Sequence, residues 1–204
     1  MYEHFTTRTV VPLLGALLLF AACETVPFTA ETPSSATIDV ELTADKRTPV
    51  GGNIAAQLAA VRNLTAPFHN FDKAAEAGWF AQLSPCVEHP EFGGMGYHYG
   101  NPAYLGNGYI DALKPEALLY EPMKNGKLRL VAVEYILPFA PPAEEGGDPI
   151  EGDQPSLFGE AFQNSPHVGE FGAWTLHVWL WRNNPEGMFA EWNPNVSCAF
   201  APEA

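Results

Sequence analysis

From Asn53 onward the apolar positions fall into a helical rhythm. Ile54, Leu58, Val61 and Leu64 recur at three and four residues, so they line one face of a helix, with Asn53 available as its N-cap. A second helical segment, "NFDKAAEAGW", offers Asn70 as cap and Gly78 where a terminating glycine belongs. Beyond it the period shortens to two. "GMGYHYG", "EALLYEP", "KLRLVAVEYIL" and "AWTLHVWLW" alternate or run continuously apolar over strand lengths, and "KNG" between the second and third predicts a hairpin turn. The Pro- and Gly-rich stretch from Pro138 to Gly172 reads as a long loop or lid. Residues 53–204 are therefore expected to form a single α+β domain, N-terminal helices followed by a mainly antiparallel sheet.

Upstream of this domain the pattern differs. Residues 24–52 are rich in Thr, Ser and Pro and read as a flexible tether, with one short alternating run, "TIDVEL", that could pair as a strand. Before it, Val10–Phe20 is an apolar run of eleven residues. A bilayer-spanning helix needs about 20; eleven suits the hydrophobic core of a secretory signal. "FAAC" then resembles the lipobox of bacterial lipoproteins, although Phe20 stands where Leu is more usual. The resemblance implies a signal peptide over 1–22 and lipidation at Cys23, with the tether and lipidated Cys over 23–52. Ordinary signal cleavage is the alternative, and "SSA" at 34–36 is its nearest site.

Cysteine arithmetic bears on this reading. The chain has three cysteines, and an odd number in an exported protein leaves one to explain. With lipid on Cys23, Cys86 and Cys198 remain as a disulfide, which would tie the front of the domain to its last strand; free buried thiols are the alternative. The balance of 10 basic to 24 acidic residues gives a net charge of -14. Loss of residues 1–22 would remove Arg8 and Glu3 and leave that charge unchanged. So acidic a chain, with no basic cluster, is not expected to bind nucleic acid. Its expected partners are membrane lipid through Cys23 and a small-molecule ligand.

No nucleophile elbow, phosphate loop, H-E-x-x-H or paired C-x-x-C occurs. The chemistry on offer lies in ionisable residues set among apolar strand positions: His98, Glu121, Glu134 and His177. Strict alternation would place Glu134 on one face with Leu128, Leu130 and Ala132, and His177 with Thr175, Trp179 and Trp181. A buried charge without a partner costs several kcal/mol. Convergence of His98, Glu134 and His177 would suit a divalent metal such as zinc, iron or manganese. Copper is a lesser option, since Met95, Met123 and Met188 accompany the histidines. Tyr97, Glu121 and Trp179 complete the candidate ligand-binding set, with Tyr99 and Trp181 as further aromatic candidates. Against this stands a purely structural reading, in which Glu121 or Glu134 pairs with Arg129, Arg182 or a histidine and the aromatic rings are core. The glycines of "EFGGMGYHYG" permit positive φ or close backbone approach, most simply in a turn preparing the His98 strand. The five acids between Glu144 and Asp153 lack the ligand spacing of a calcium loop.

The segments "GMGYHY", "PEALLYEP", "LRLVAVEYI", "LFG" and "NPEGMFAEWNPNVSC", in that order, resemble a family of uncharacterised exported bacterial proteins. The resemblance spans roughly residues 55–200 and implies one exported domain, with no activity attached. Three roles stay open at this point. They are a cell-envelope module that binds a small ligand or metal, a metal-dependent enzyme with Glu121 or Glu134 moving a proton, and a structural envelope factor.

Overall fold

The computed structural model describes residues 53–202; the signal, lipidation and "TIDVEL" expectations lie outside them. Helix α1 (Ile54–Thr65) starts where Asn53 accepts a hydrogen bond from the Ala55 backbone N–H. A 3-10 turn (Ala66–His69) leads to α2 (Phe71–Glu76), capped by Asn70. Gly78 ends it at φ 113°, a backbone conformation that side chains rarely adopt, which is why glycine stands there.

Nine strands follow: β1 (Ala81–Gln82), β2 (Val87–His89), β3 (Gly93–Gly100), β4 (Ala117–Pro122), β5 (Leu128–Pro138), β6 (Ser156–Leu157), β7 (Glu160–Ala161), β8 (Gln163–Ser165) and β9 (Ala173–Val178). Seven form one antiparallel sheet in the order β1-β3-β4-β5-β9-β8, with β2 also paired to β3; β6 and β7 form a separate hairpin. The fold is thus α+β. "KNG" makes the β4–β5 turn, with Gly126 at φ 74° and Asn125 accepting from the Lys127 N–H. The Pro138–Gly172 stretch is more ordered than a loop, because it contains the β6–β7 hairpin and the edge strand β8.

Both faces of the sheet are covered, which explains the nearly continuous apolar run of β4 and β5. On one face Leu118, Tyr120, Val133, Tyr135 and Leu176 pack with Val61, Phe68 and Trp79 from the helical front and with Phe158 and Phe162 near the hairpin. Two buried phenols fasten this layer: Tyr120 donates to the Phe68 carbonyl and Tyr135 to the Ala112 carbonyl, each at 2.7 Å. The other face carries a smaller core, Ala117, Leu119, Ala132, Ile136 and Ala173 with Met95, Trp179 and Val196. Here the cover is irregular chain. The glycine run lies inside β3, not in a turn before it. A Cβ on Gly94 would meet the Val196 carbonyl at 2.8 Å, so the missing side chain lets the C-terminal segment cross the strand.

Two bulges set which residues face which core. In β5 Leu119 pairs with Ala132 and Tyr120 with Leu130, so Val131 is an extra residue. Alternation reverses there: Leu128 and Leu130 pack on the helix side and leave the face of Glu134, contrary to the face read from the sequence. Opposite β2, the pairing jumps from Gly96 to Gly94 and leaves Met95 extra.

Cys86 and Cys198 form a disulfide, 112 residues apart in sequence. Cys198 lies in the C-terminal coil, beyond the last strand. A covalent link of this kind marks an oxidising, extracytoplasmic setting. Replacing both cysteines by serine is expected to lower unfolding stability by about 2–5 kcal/mol. Denaturant titration beside the intact protein checks this, and equal midpoints would contradict it.

Candidate metal centre

Three strands deliver the site to the face opposite the helices. Glu134 on β5 is directly paired with His177 on β9 and, on its other side, with Ala117 on β4. His98 on β3 is paired with Leu119, one row along. Strands lie about 4.8 Å apart, so His98 must reach Glu134 across β4. Ala117, small and fully buried, leaves the room. The result is a triad in which Glu134 Oε2 lies 3.7 Å from His98 Nε2 and Glu134 Oε1 lies 3.6 Å from His177 Nε2. One donor atom from each residue lies within 4.8 Å of the others, and all three residues are buried.

These separations are too long for hydrogen bonds. They are close to the spacing of neighbouring donors around a tetrahedral ion, about 3.4 Å for metal–ligand bonds of about 2.0–2.1 Å. His177 is the clearest sign of an unfinished environment: both of its ring nitrogens are buried, and neither has a hydrogen-bond partner among the described residues. Buried polar atoms in native folds are nearly always satisfied. His98, by contrast, has its Nδ1 held 2.9 Å from Ser84 Oγ, which leaves Nε2 for the site. Such an outer partner orients a ligating imidazole. His177 is backed by the Trp179 ring, stacked at 12° and 6.1 Å, and Trp179 is itself fixed by donation to the Ala190 carbonyl.

Burial sets the protonation of the metal-free triad. Desolvation, helped by the charges of Glu116 and Glu191, raises the Glu134 pKa to about 8. Desolvation lowers His98 to about 4; desolvation and then the His98 charge lower His177 to about 3. The close His–Glu approaches are therefore between neutral groups near neutral pH, and proximity alone does not make them ion pairs. A cation at the centre reverses this preference by stabilising the carboxylate.

The triad lines a cavity of about 660 Å³ that also reaches Met95, Trp192 and the Ser165–Gly169 loop. Other candidate residues sit elsewhere. Tyr97 is beside Tyr99, whose ring packs on Phe71 and Tyr120 in the helix-side core, so neither tyrosine lines the cavity. Glu121 serves the fold: it is paired across the strands with Arg129 at 3.4 Å and accepts from the Ser197 N–H. Trp179 backs His177 without lining the cavity. Trp181 lies on the helix side, where its Nε1 donates to Thr65 Oγ1, because regular alternation ends with β9 at Val178. Of the three methionines considered with copper, Met95 alone lines the cavity.

Sequence reasoning missed Ser84, Glu191 and Glu116. Ser84 carries no signal of its own beyond standing two residues from Cys86. Glu116, at the head of "EALLY", is 1% exposed, accepts from the Ile136 N–H and has its pKa raised by desolvation to about 8; an acid opening an apolar strand was the available cue. No protein-family model, curated protein or solved structure matches the chain.

These shifts fix a pH profile for the metal-free protein. Glu116 and Glu134 hold their protons more tightly when folded, so their stabilisation is complete below their ordinary value of 4.5 and is lost as pH rises through about 8. His98 and His177 act oppositely, stabilising above 6.5 and losing that contribution as pH falls through about 4 and about 3. Between 4.5 and 6.5 the two trends offset each other. Chelator-treated protein should thus melt highest in that window and lose stability towards pH 9. Glu116→Gln and Glu134→Gln should each flatten the alkaline limb. Equal melting temperatures at pH 5.5 and 9 for the unmodified chain would contradict the assignment.

Proposed function

We propose that this protein is a bacterial cell-envelope lipoprotein whose domain binds one divalent metal ion through His98, Glu134 and His177. The observation that carries the metal reading is the buried convergence of three donors in which His177 keeps two unpartnered ring nitrogens. An ion would satisfy one of them, draw the Glu134 proton off, and turn three neutral groups packed at a cost into a coordination shell. Two imidazoles and a carboxylate suit zinc, iron(II) or manganese. Three protein ligands leave at least one position for an exogenous donor, and the cavity lies on that side.

Location is read from other features. "FAAC" at residues 20–23 supports lipid attachment at Cys23, the one of the chain's three cysteines that takes no part in the Cys86–Cys198 bridge. The family that the domain segments resemble is likewise exported. Binding, with turnover not required, is the role that the site's chemistry supports most directly.

Elemental analysis of the exported protein, purified without chelator or affinity tag, should find close to one transition-metal ion per chain. His98→Ala/His177→Ala should lose it while keeping its circular dichroism spectrum. A metal-free wild-type protein that also fails to take up zinc, iron(II) or manganese on dialysis would refute the metal reading. Location has a separate check: Cys23→Ser should move the protein from the membrane fraction to the soluble one, and unchanged membrane retention would count against lipidation.

A further inference from the structure

The cavity above the triad is divided in a way that describes its ligand. Apart from the triad and Thr175, its floor is buried and apolar, made by Met95, Ile136 and Ala173. Half-buried apolar walls rise on either side, with Val87 and Trp192 from the disulfide-linked segments and Val168 from the loop before β9. The rim is exposed and polar, carrying His167 and Glu191. At about 660 Å³ the space matches sites for small organic molecules, about 300–1,000 Å³.

Charge narrows the class further. Two neutral imidazoles, one carboxylate and a divalent ion leave one net positive charge at the floor of a largely apolar chamber, and an uncompensated buried charge is costly. Among the described residues no second buried carboxylate lines the cavity; Glu116 is buried, but its carboxylate is engaged with the Ile136 N–H outside the lining. The balancing anion must come from outside the chain. Glu191 at the rim disfavours a second negative group at the ligand's far end, whereas apolar walls favour a hydrocarbon body.

We propose, resting on the metal reading above, that the chamber takes an apolar organic monocarboxylate whose head completes the metal's coordination and whose body packs against Ile136, Val168 and Trp192. Hydroxide from water would balance the same charge and leave the apolar walls wet, so chain-length dependence separates the two.

The test uses the exported Cys23→Ser protein loaded with cobalt(II), whose visible bands report changes at the ion. Octanoate should shift those bands and bind at least tenfold more tightly than acetate, since each buried methylene is worth about fourfold. Octanedioate, of the same length with a second carboxylate, should bind at least tenfold more weakly than octanoate. Val168→Asp should weaken octanoate at least tenfold at unchanged cobalt stoichiometry. Bound cobalt with bands indifferent to octanoate, or with acetate and octanoate bound equally, would overturn the ligand assignment and leave the metal reading standing. Failure to bind cobalt, together with failure to take up zinc, iron(II) or manganese, would overturn both.

Discussion

One extra residue in β5 governs how the two faces of this sheet are used. Val131 interrupts the pairing of β5 with β4, and the alternation of side chains reverses across it. Leu128 and Leu130 before the bulge and Val133 and Tyr135 after it all reach the helix-side core. Glu134, one residue out of step, is sent to the opposite face together with Ala132 and Ile136. Without the reversal, β5 would have to place Leu130 beside the carboxylate or Glu134 in the helix-side core. The irregularity at Met95 does similar work in β3: it delivers a methionine and His98 to the same cavity although they are three residues apart. Bulges re-aim side chains at modest cost, and here both of them lie in strands that supply the triad.

What the strands deliver is unfavourable on its own. A carboxyl and two imidazoles in a buried environment, held just beyond hydrogen-bonding distance, neither ionise as pairs nor satisfy one another. A fold seeking stability alone would have closed the gap or filled it with hydrocarbon, as the rest of this face does with Leu119 and Ile136. The contrast with Glu121 is instructive. That acid lies towards the end of β4 and accepts a backbone N–H from Ser197 at Oε1; its Oε2 makes no hydrogen bond among the described residues, but it faces the Arg129 guanidinium at 3.4 Å, so a cation of the fold balances its charge. Among the described residues, Glu134 and His177 face no such cation.

Much of this was legible in the sequence, and the failures have physical causes. Helix caps at Asn53 and Asn70, the "KNG" turn and the strand-length apolar runs are local signals, and local hydrogen bonding decided them. His98, Glu134 and His177 stood out because an ionisable group in an apolar strand is anomalous wherever it occurs. Their convergence was beyond reading, since it depends on strand order and on Ala117 leaving a gap between β3 and β5. Face assignments failed at Leu130 and Trp181 because a period of two assumes an unbroken strand. Tyr97 was misplaced by a related error: adjacent to His98, it necessarily faces the other way. Ser84 was invisible because a loop serine becomes informative only when something holds the loop against the sheet.

Backbone pairing and the disulfide hold it together: the Leu83 N–H donates to the His98 carbonyl at 2.8 Å, and the Cys86–Cys198 bridge follows three residues on. Sheet hydrogen bonds secure the floor of the cavity, but the walls belong to stretches with little secondary structure: residues 83–87, the loop before β9 that carries Val168, and the C-terminal coil carrying Glu191 and Trp192. Cys86 and Cys198 join the first of these to the last, and the Cys198 N–H also donates to Glu88. A cross-link closing so long a loop acts chiefly by restricting the unfolded chain, and it would stabilise the domain wherever its ends were placed. Placed here it has a second effect: Ser84, two residues from Cys86, is kept within reach of His98 Nδ1. The orientation of one prospective ligand is thus supported twice, by the backbone pairing of Leu83 with His98 and by a covalent bond that ties the same segment to the C-terminal coil.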